Sequence, residues 1–183
     1  MADYLDTLAE FVTDTEYGDL SSDVVGTVKN VILDTVGAIM GGSRLPENAA
    51  LATQMAQRSG STTATIFGHK LKAEPMLATL VNATAGVSLE MDEGNRFGGG
   101  HPSIHSLPGA MAVAEEIGTH GQKLIESVLV AYEVESRIGG ATQVRKDVHP
   151  HGTWGAISTA VAVAKLRNSH ETRSGESSIL LLR

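Results

Sequence analysis

The sequence predicts an all-α fold, a tight helical bundle rather than a β-sandwich. Aromatic residues make up only 4% of the chain, so the core must be built from small aliphatic side chains, which let helices approach closely. Apolar residues recur at three- and four-residue spacing through most of the chain, the period of an amphipathic helix. The 20 glycines cluster between these apolar segments, where they can end helices and shape loops. With 183 residues, the chain suits one domain with or without a tail, and a domain of that size hides roughly 70% of its unfolded surface.

The elements follow in order. Leu5, Leu8, Phe11 and Val12 place a short amphipathic helix over about residues 2–14. Leu20-Ser21-Ser22-Asp23 is a helix start, with hydroxyls and a carboxylate ready to cap free N–H groups. The helix behind it carries Val24, Val28, Val31, Ile32, Val36 and Ile39, and Gly41-Gly42 is expected to end it in the left-handed conformation. Pro46, at a first helical position, opens a third helix that runs through Gln57. Thr62 to Phe67 is short and β-branched and reads as an extended segment or a hairpin edge. Glu74-Pro75 opens a helix with Leu77, Leu80, Val81, Thr84 and Val87 on one side, expected to stop near Met91. Asp92 to His105 reads as a loop, and Pro108 as the start of a helix through Ile117, broken at His120-Gly121. Leu124, Val128, Ala131, Tyr132 and Glu135 define a long helix to about Ile138. Gly139 to Gly152 is a second polar loop, and Thr153 to Arg167 a final apolar helix capped by Thr153.

Charge and composition exclude several function classes. Fourteen Lys and Arg against 21 Asp and Glu leave a net charge of −7, which argues against a nucleic-acid surface, since phosphate binding needs clustered cations. Without cysteine, disulfide scaffolds, thiolate zinc sites and Cys nucleophiles are excluded within this chain. Met1 to Glu16 lacks the basic region of a signal peptide. No apolar run approaches the roughly 20 residues that a membrane span needs. A soluble cytoplasmic protein with neither nucleic-acid nor membrane partners is the expectation.

Residues 168–183 differ from the rest. A polar run from Asn168 to Ser178 gives way to Ile179-Leu180-Leu181-Leu182-Arg183, an apolar end with no amphipathic pattern. The organisation expected is a helical domain over 1–167 and an atypical tail over 168–183, the mark of a truncated or frameshifted reading. Helix faces left without neighbours are then expected to drive self-association.

Ionisable groups concentrate in two segments, Glu90 to His105 and Arg145 to Gly152, which hold four of the seven histidines. Imidazole gives and takes protons near neutral pH. Both segments precede apolar helices, whose N-termini favour anions, so an acid/base pair beside an anion site would suit proton chemistry on a carboxylate. A solvated flexible loop is the plain alternative for the first segment. Gly98-Gly99-Gly100 lacks the Lys-Ser/Thr and the preceding strand of a P-loop. His101 and His105 have helical metal-ligand spacing, but Pro102 and the glycines before it argue against helix there. His69 and His120, beside glycines in turns, are read as surface residues, and Trp154 as packing.

The two segments also carry a family resemblance. Met91-Asp92-Glu93-Gly94, Gly100-His101-Pro102 and His149-Pro150-His151-Gly152-Thr153, with Asp34 to Ala38 and Leu80 to Ala85, resemble the MmgE/PrpD family. That family includes 2-methylcitrate dehydratase, cis-aconitate decarboxylase and iminodisuccinate epimerase. The likeness covers roughly residues 4–167. It implies the large helical domain of the family fold, here incomplete, a homodimer, no metal or organic cofactor, and a small di- or tricarboxylate substrate. It carries acid/base roles to His101 and His149 and places Asp92 as the acidic residue before the first histidine. Where family members commonly have Asp-Asp, this chain has Asp92-Glu93, followed by Asn95-Arg96.

The reaction so implied is a lyase step next to a carboxylate, with 2-methylcitrate dehydration in propionate metabolism the leading expectation. Decarboxylation of cis-aconitate and epimerisation are alternatives, since all three pass through a carbanion- or enolate-like species. Arg96, Arg145, Lys146 and His151 are candidate substrate-binding groups. Two rival readings stand beside this one: a non-catalytic helical remnant, and a metal-dependent hydrolase using Asp92, His101, His105 and His149.

Overall fold

The computed structural model describes residues 4–174, with side chains described in that range except at Pro150 and 168–174. Among the described residues are seven α-helices and one hairpin. The order is α1 (Tyr4–Asp14), α2 (Ser22–Gly42), α3 (Pro46–Arg58), β1 (Ala64–Ile66), β2 (Leu71–Ala73), α4 (Pro75–Val87), α5 (Pro102–Ile117), α6 (Gly121–Ala141) and α7 (Gly155–Ser174). The all-α class stands, with β1 and β2 as a two-stranded antiparallel annex in the register Ala64↔Ala73, Thr65↔Lys72 and Ile66↔Leu71.

Helix α5 is the axis of the bundle and packs against α2, α4, α6 and α7. Its Leu107, Ala110 and Val113 join Val128, Val130, Ala131 and Val134 of α6 and Val161, Ala162 and Leu166 of α7 in the main core. A second cluster seats the hairpin, through Ala64, Ile66 and Ala73, on Ala52, Met55, Ala78 and Val81. These side chains are small, so the helices sit close enough for backbone to meet backbone. At Gly42, an added Cβ would lie 1.8 Å from the Ala85 carbonyl oxygen of α4. Gly42→Ala is therefore expected to destabilise by about 1–3 kcal/mol through overpacking, read as a lower midpoint in urea at unchanged slope.

Charge is buried on the other side of α6. Glu126, 0% exposed, lies 3.0 Å from Lys123 Nζ and 3.4 Å from Lys165 Nζ. It also accepts from the Tyr17 N–H at 2.9 Å, while Lys165 donates to the Thr13 carbonyl at 2.9 Å. One carboxylate thus ties the end of α1 and the turn after it to α6 and α7.

Several expected boundaries move. Ser21 caps α2 as predicted, its Oγ accepting from the Val24 N–H. The end of α2 is not a left-handed glycine: the helix includes Gly42 and is capped by Ser43 in right-handed conformation. The glycines there serve close packing instead. Pro46 and Pro75 open α3 and α4 as read, and α3 extends to Arg58. Helix α4 stops at Val87, short of Met91, and Glu90 takes a positive φ of 51°. Helix α5 begins at Pro102, with Pro108 in its interior, because burial between α4, α6 and α7 outweighs the hydrogen bond that a proline forfeits. Helix α7 begins at Gly155, after Trp154 rather than Thr153, and continues to Ser174, past Arg167. His69 is half-buried rather than on the surface, whereas His120 is exposed and Trp154 is buried. Helix α2 also corrects an expectation: by length and composition it is apolar enough to cross a membrane. Here it lies against α4, α5 and α6. The expected apolar tail end, 179–183, lies outside the described residues, as does everything from 175 onward.

Candidate active site

The segment between α4 and α5 is moulded onto α6. Asn95 Oδ1 accepts from the N–H groups of Phe97 and Gly98, and Asn95 Nδ2 donates to Ser136 Oγ at 2.8 Å. Gly98 and Gly139 permit this contact: a Cβ on Gly98 would stand 2.5 Å from the Ser136 carbonyl oxygen, and one on Gly139 would stand 2.3 Å from that of Gly98. Gly99 and Gly100 then turn the chain with φ of 70° and 90°, where a side chain would be strained. The loop thereby delivers Asp92 beside His101, the residue that precedes the first turn of α5.

The second ionisable segment folds back onto the same place. His101 stacks on His151 with ring centroids 5.1 Å apart, and His149 lies 4.4 Å from His151. His105, one turn into α5, meets His151 edge-on at 4.5 Å. Their nitrogens touch, His105 Nε2 lying 2.6 Å from His151 Nδ1. On its other side His105 Nδ1 is 2.6 Å from Glu135 Oε1 of α6. Asp92 Oδ2 is 3.1 Å from His101 Nδ1, and the Asp92 side chain is only 3% exposed. Two carboxylate–imidazole pairs thus flank His151, one from the loop and one from the helix core.

A third carboxylate closes the wall. Glu93 accepts from the Tyr132 hydroxyl of α6 and, at 3.4 Å, from the Ser103 N–H in the first turn of α5. The anion favoured at that helix N-terminus is therefore supplied by the chain itself. Burial raises the Glu93 carboxyl above the ordinary carboxylate value, opposed by the hydrogen bonds from Tyr132 and the Ser103 N–H and by nearby His101. Burial, followed by the Glu93 contact, pushes the Tyr132 hydroxyl well above its ordinary value. Below those two groups Thr35 and Ser103 hydroxyls hydrogen-bond across α2 and α5.

Of the residues singled out in the sequence, Asp92, His101, His149 and His151 converge. Arg96, Arg145 and Lys146 are exposed and form no ion pair with another described residue. Sequence reasoning gave no acid/base role to Glu93, Tyr132, His105 or Glu135. The available signal was Glu135 itself, a carboxylate on the otherwise apolar face of α6; such a group is buried only when paired. The helical break assumed between His101 and His105 is absent, since α5 starts at Pro102. The metal-ligand set of the hydrolase reading is not arranged as a metal centre, however. Both nitrogens of His105 are occupied by Glu135 and His151, and no group of three His, Asp or Glu among the described residues is arranged to hold an ion.

Burial lowers the His151 imidazole below its ordinary value, reinforced by His105, His149 and His101 and opposed by Asp92. Between that lowered value and about 6.5, the unfolded chain binds the proton more readily, so stability rises with pH through the window. The contribution is fully present above about 6.5 and is lost as pH falls toward the folded value. The loss of melting temperature between about pH 7.5 and pH 5.5 is therefore expected to be smaller in His151→Asn than in the unmodified protein. Glu93, whose shift has the opposite sign, is common to both proteins and cancels in the comparison.

Fold and site together define a helical domain that gathers carboxylate-paired imidazoles at one end of a central helix. The chain belongs to the MmgE/PrpD family: the model of the MmgE/PrpD N-terminal domain matches residues 6–174. Among curated relatives, cis-aconitate decarboxylase of Aspergillus terreus is 27% identical over 159 residues, covering 81% of this chain and 32% of the relative. Human cis-aconitate decarboxylase is 27% identical over 181 residues, covering 93% of this chain and 37% of that protein. The cis-aconitate decarboxylase-like protein oryM of Aspergillus oryzae is 25% identical over 172 residues, with 87% and 35% covered. The chain thus spans about a third of the length of these relatives.

Proposed function

We propose that this domain supplies the acid/base groups of a lyase that acts on a small di- or tricarboxylate, with decarboxylation of cis-aconitate as the reaction. The observation that carries the proposal is the convergence of Asp92–His101 with His149 and His151 from a segment nearly fifty positions away. The named activity of the relatives favours decarboxylation over the dehydration of 2-methylcitrate, which the sequence motifs alone had placed first.

The chemistry follows from the pairing. When the C–CO₂ bond breaks, its electron pair stays on carbon as an enolate-like species, which must receive a proton. Asp92 Oδ2, 3.1 Å from His101 Nδ1, orients that ring, and His101 is the proton donor in this reading. His149, exposed at the rim, is placed to return the proton from solvent. Arg145 and Lys146 remain candidates for steering the anionic substrate through their charge alone.

The test is a titration with cis-aconitate followed on the imidazole resonances of His101 and His149, beside assays for CO₂ release and for water loss. Shifts at both histidines with CO₂ release are the expected result. Water loss from 2-methylcitrate without CO₂ release from cis-aconitate would restore dehydration as the reaction. Unmoved resonances at about 10 mM, some tenfold above the upper range of ordinary KM values, would overturn the proposal.

A further inference from the structure

We propose that Glu135 and His105 are positioning residues that fix the tautomer of His151, leaving its Nε2 as the proton acceptor of the cluster. The inference rests on the acid/base reading for its purpose, but its geometry stands without any substrate.

Glu135 is 1% exposed and lies in the interior of α6. Its Oε1 meets His105 Nδ1 at 2.6 Å, while its Oε2 is buried with no hydrogen-bond partner among the described residues. A carboxylate so enclosed is kept by the one cationic or donor group it touches, which here is His105. Imidazole is ordinarily more basic than a carboxyl, so the shared proton rests on His105 Nδ1. With that proton placed, a neutral His105 has only a lone pair to offer at Nε2. The 2.6 Å contact to His151 Nδ1 then requires the proton of His151 to sit on Nδ1, and its Nε2 is left as an acceptor. A buried carboxylate orienting an imidazole for proton transfer is the logic of a hydrolase triad, extended here by a second ring.

The proton count closes. His151 Nε2 takes one proton through its lone pair, and His151 Nδ1 can pass its own proton to His105 Nε2 along the same hydrogen bond. His105 retains Nδ1–H toward Glu135, so the pair gains one proton and its positive charge comes to rest beside the buried carboxylate. The groups that face His151 are His105 of α5, His101 just before that helix, and His149 and Asp92 of the loops, with Glu135 of α6 behind His105. Gly155 fixes the ring mechanically: a Cβ there would stand 2.8 Å from His105 Cγ and Nδ1, so α7 lies flat against the imidazole and prevents it from swinging away.

The experiment is ¹⁵N–¹H correlation spectroscopy of the imidazoles at about pH 8.5, two units above the ordinary imidazole value, with no substrate present. In the unmodified chain both His105 and His151 are expected as Nδ1–H tautomers. In Glu135→Gln the side-chain amide no longer forces the proton onto His105 Nδ1, and His151 is expected to gain the Nε2–H form, seen as exchange of its protonated and unprotonated ¹⁵N signals. Should that variant fail to fold, the apolar pair Glu135→Leu with His105→Phe removes the relay at similar volume, and the same exchange at His151 is expected. An Nε2–H tautomer at His151 in the unmodified chain, or an Nδ1–H tautomer unchanged by the variants, would overturn the relay. Failure of the function itself appears elsewhere, as unmoved His101 and His149 resonances with cis-aconitate.

Discussion

Replacing His101 with alanine is expected to lower kcat for the proposed decarboxylation by about 10²–10⁴-fold, the ordinary contribution of a positioned proton donor. His101 is fixed by the start of α5 behind it, by Asp92 Oδ2 at 3.1 Å and by the ring of His151 stacked on it. A proton needed only as the bond breaks stabilises the transition state and not the bound substrate, so KM should change little while kcat falls. His101→Gln, which keeps a hydrogen-bond donor of similar size but cannot titrate, should lose as much. Steady-state kinetics of CO₂ release check both, and near-normal kcat in either variant would remove His101 from the mechanism.

Replacing Glu126 with alanine should produce the largest loss of stability, about 3–5 kcal/mol, the cost of removing one partner from a buried ion pair. Lys165, with a side chain only 7% exposed, would keep its contact to the Thr13 carbonyl but lose the Glu126 carboxylate. The Tyr17 N–H would lose its acceptor as well. Urea denaturation should show the midpoint falling with little change in slope. The double substitution Glu126→Leu with Lys165→Met should recover much of the loss, because an apolar pair avoids the desolvation that the ions suffer. If the double variant is as unstable as Glu126→Ala, the cost lies in packing rather than in unpaired charge.

Local signals placed most helices, but not where two of them begin. Pro46 and Pro75 open α3 and α4 because a first-turn residue needs no N–H. Pro102 has the same meaning for α5, yet the glycines before it and Pro108 after it made the first turn look like loop. Only the burial of α5 among α2, α4, α6 and α7 decides that Pro108 sits inside a helix. Gly42 illustrates the same limit. A glycine near a helix end signals a left-handed cap, but this one exists because Ala85 of α4 lies against it.

By itself the sequence determined the helical class, through the period of its apolar residues, and the two ionisable segments, through their histidines and acids. It also carried the family, through His101-Pro102 and the run His149 to Thr153 with Asp92 before them. What only the tertiary structure decided is how those groups pair. Hydrophobic periodicity reports which face of a helix is buried, not which residue stands opposite across the bundle. The register of α5 against α6 puts His105 beside Glu135, and the return of the chain before α7 lays His151 on His105. Hydrogen bonds between residues 30 and 46 positions apart depend on packing of entire helices. For that reason no local pattern in the chain records them.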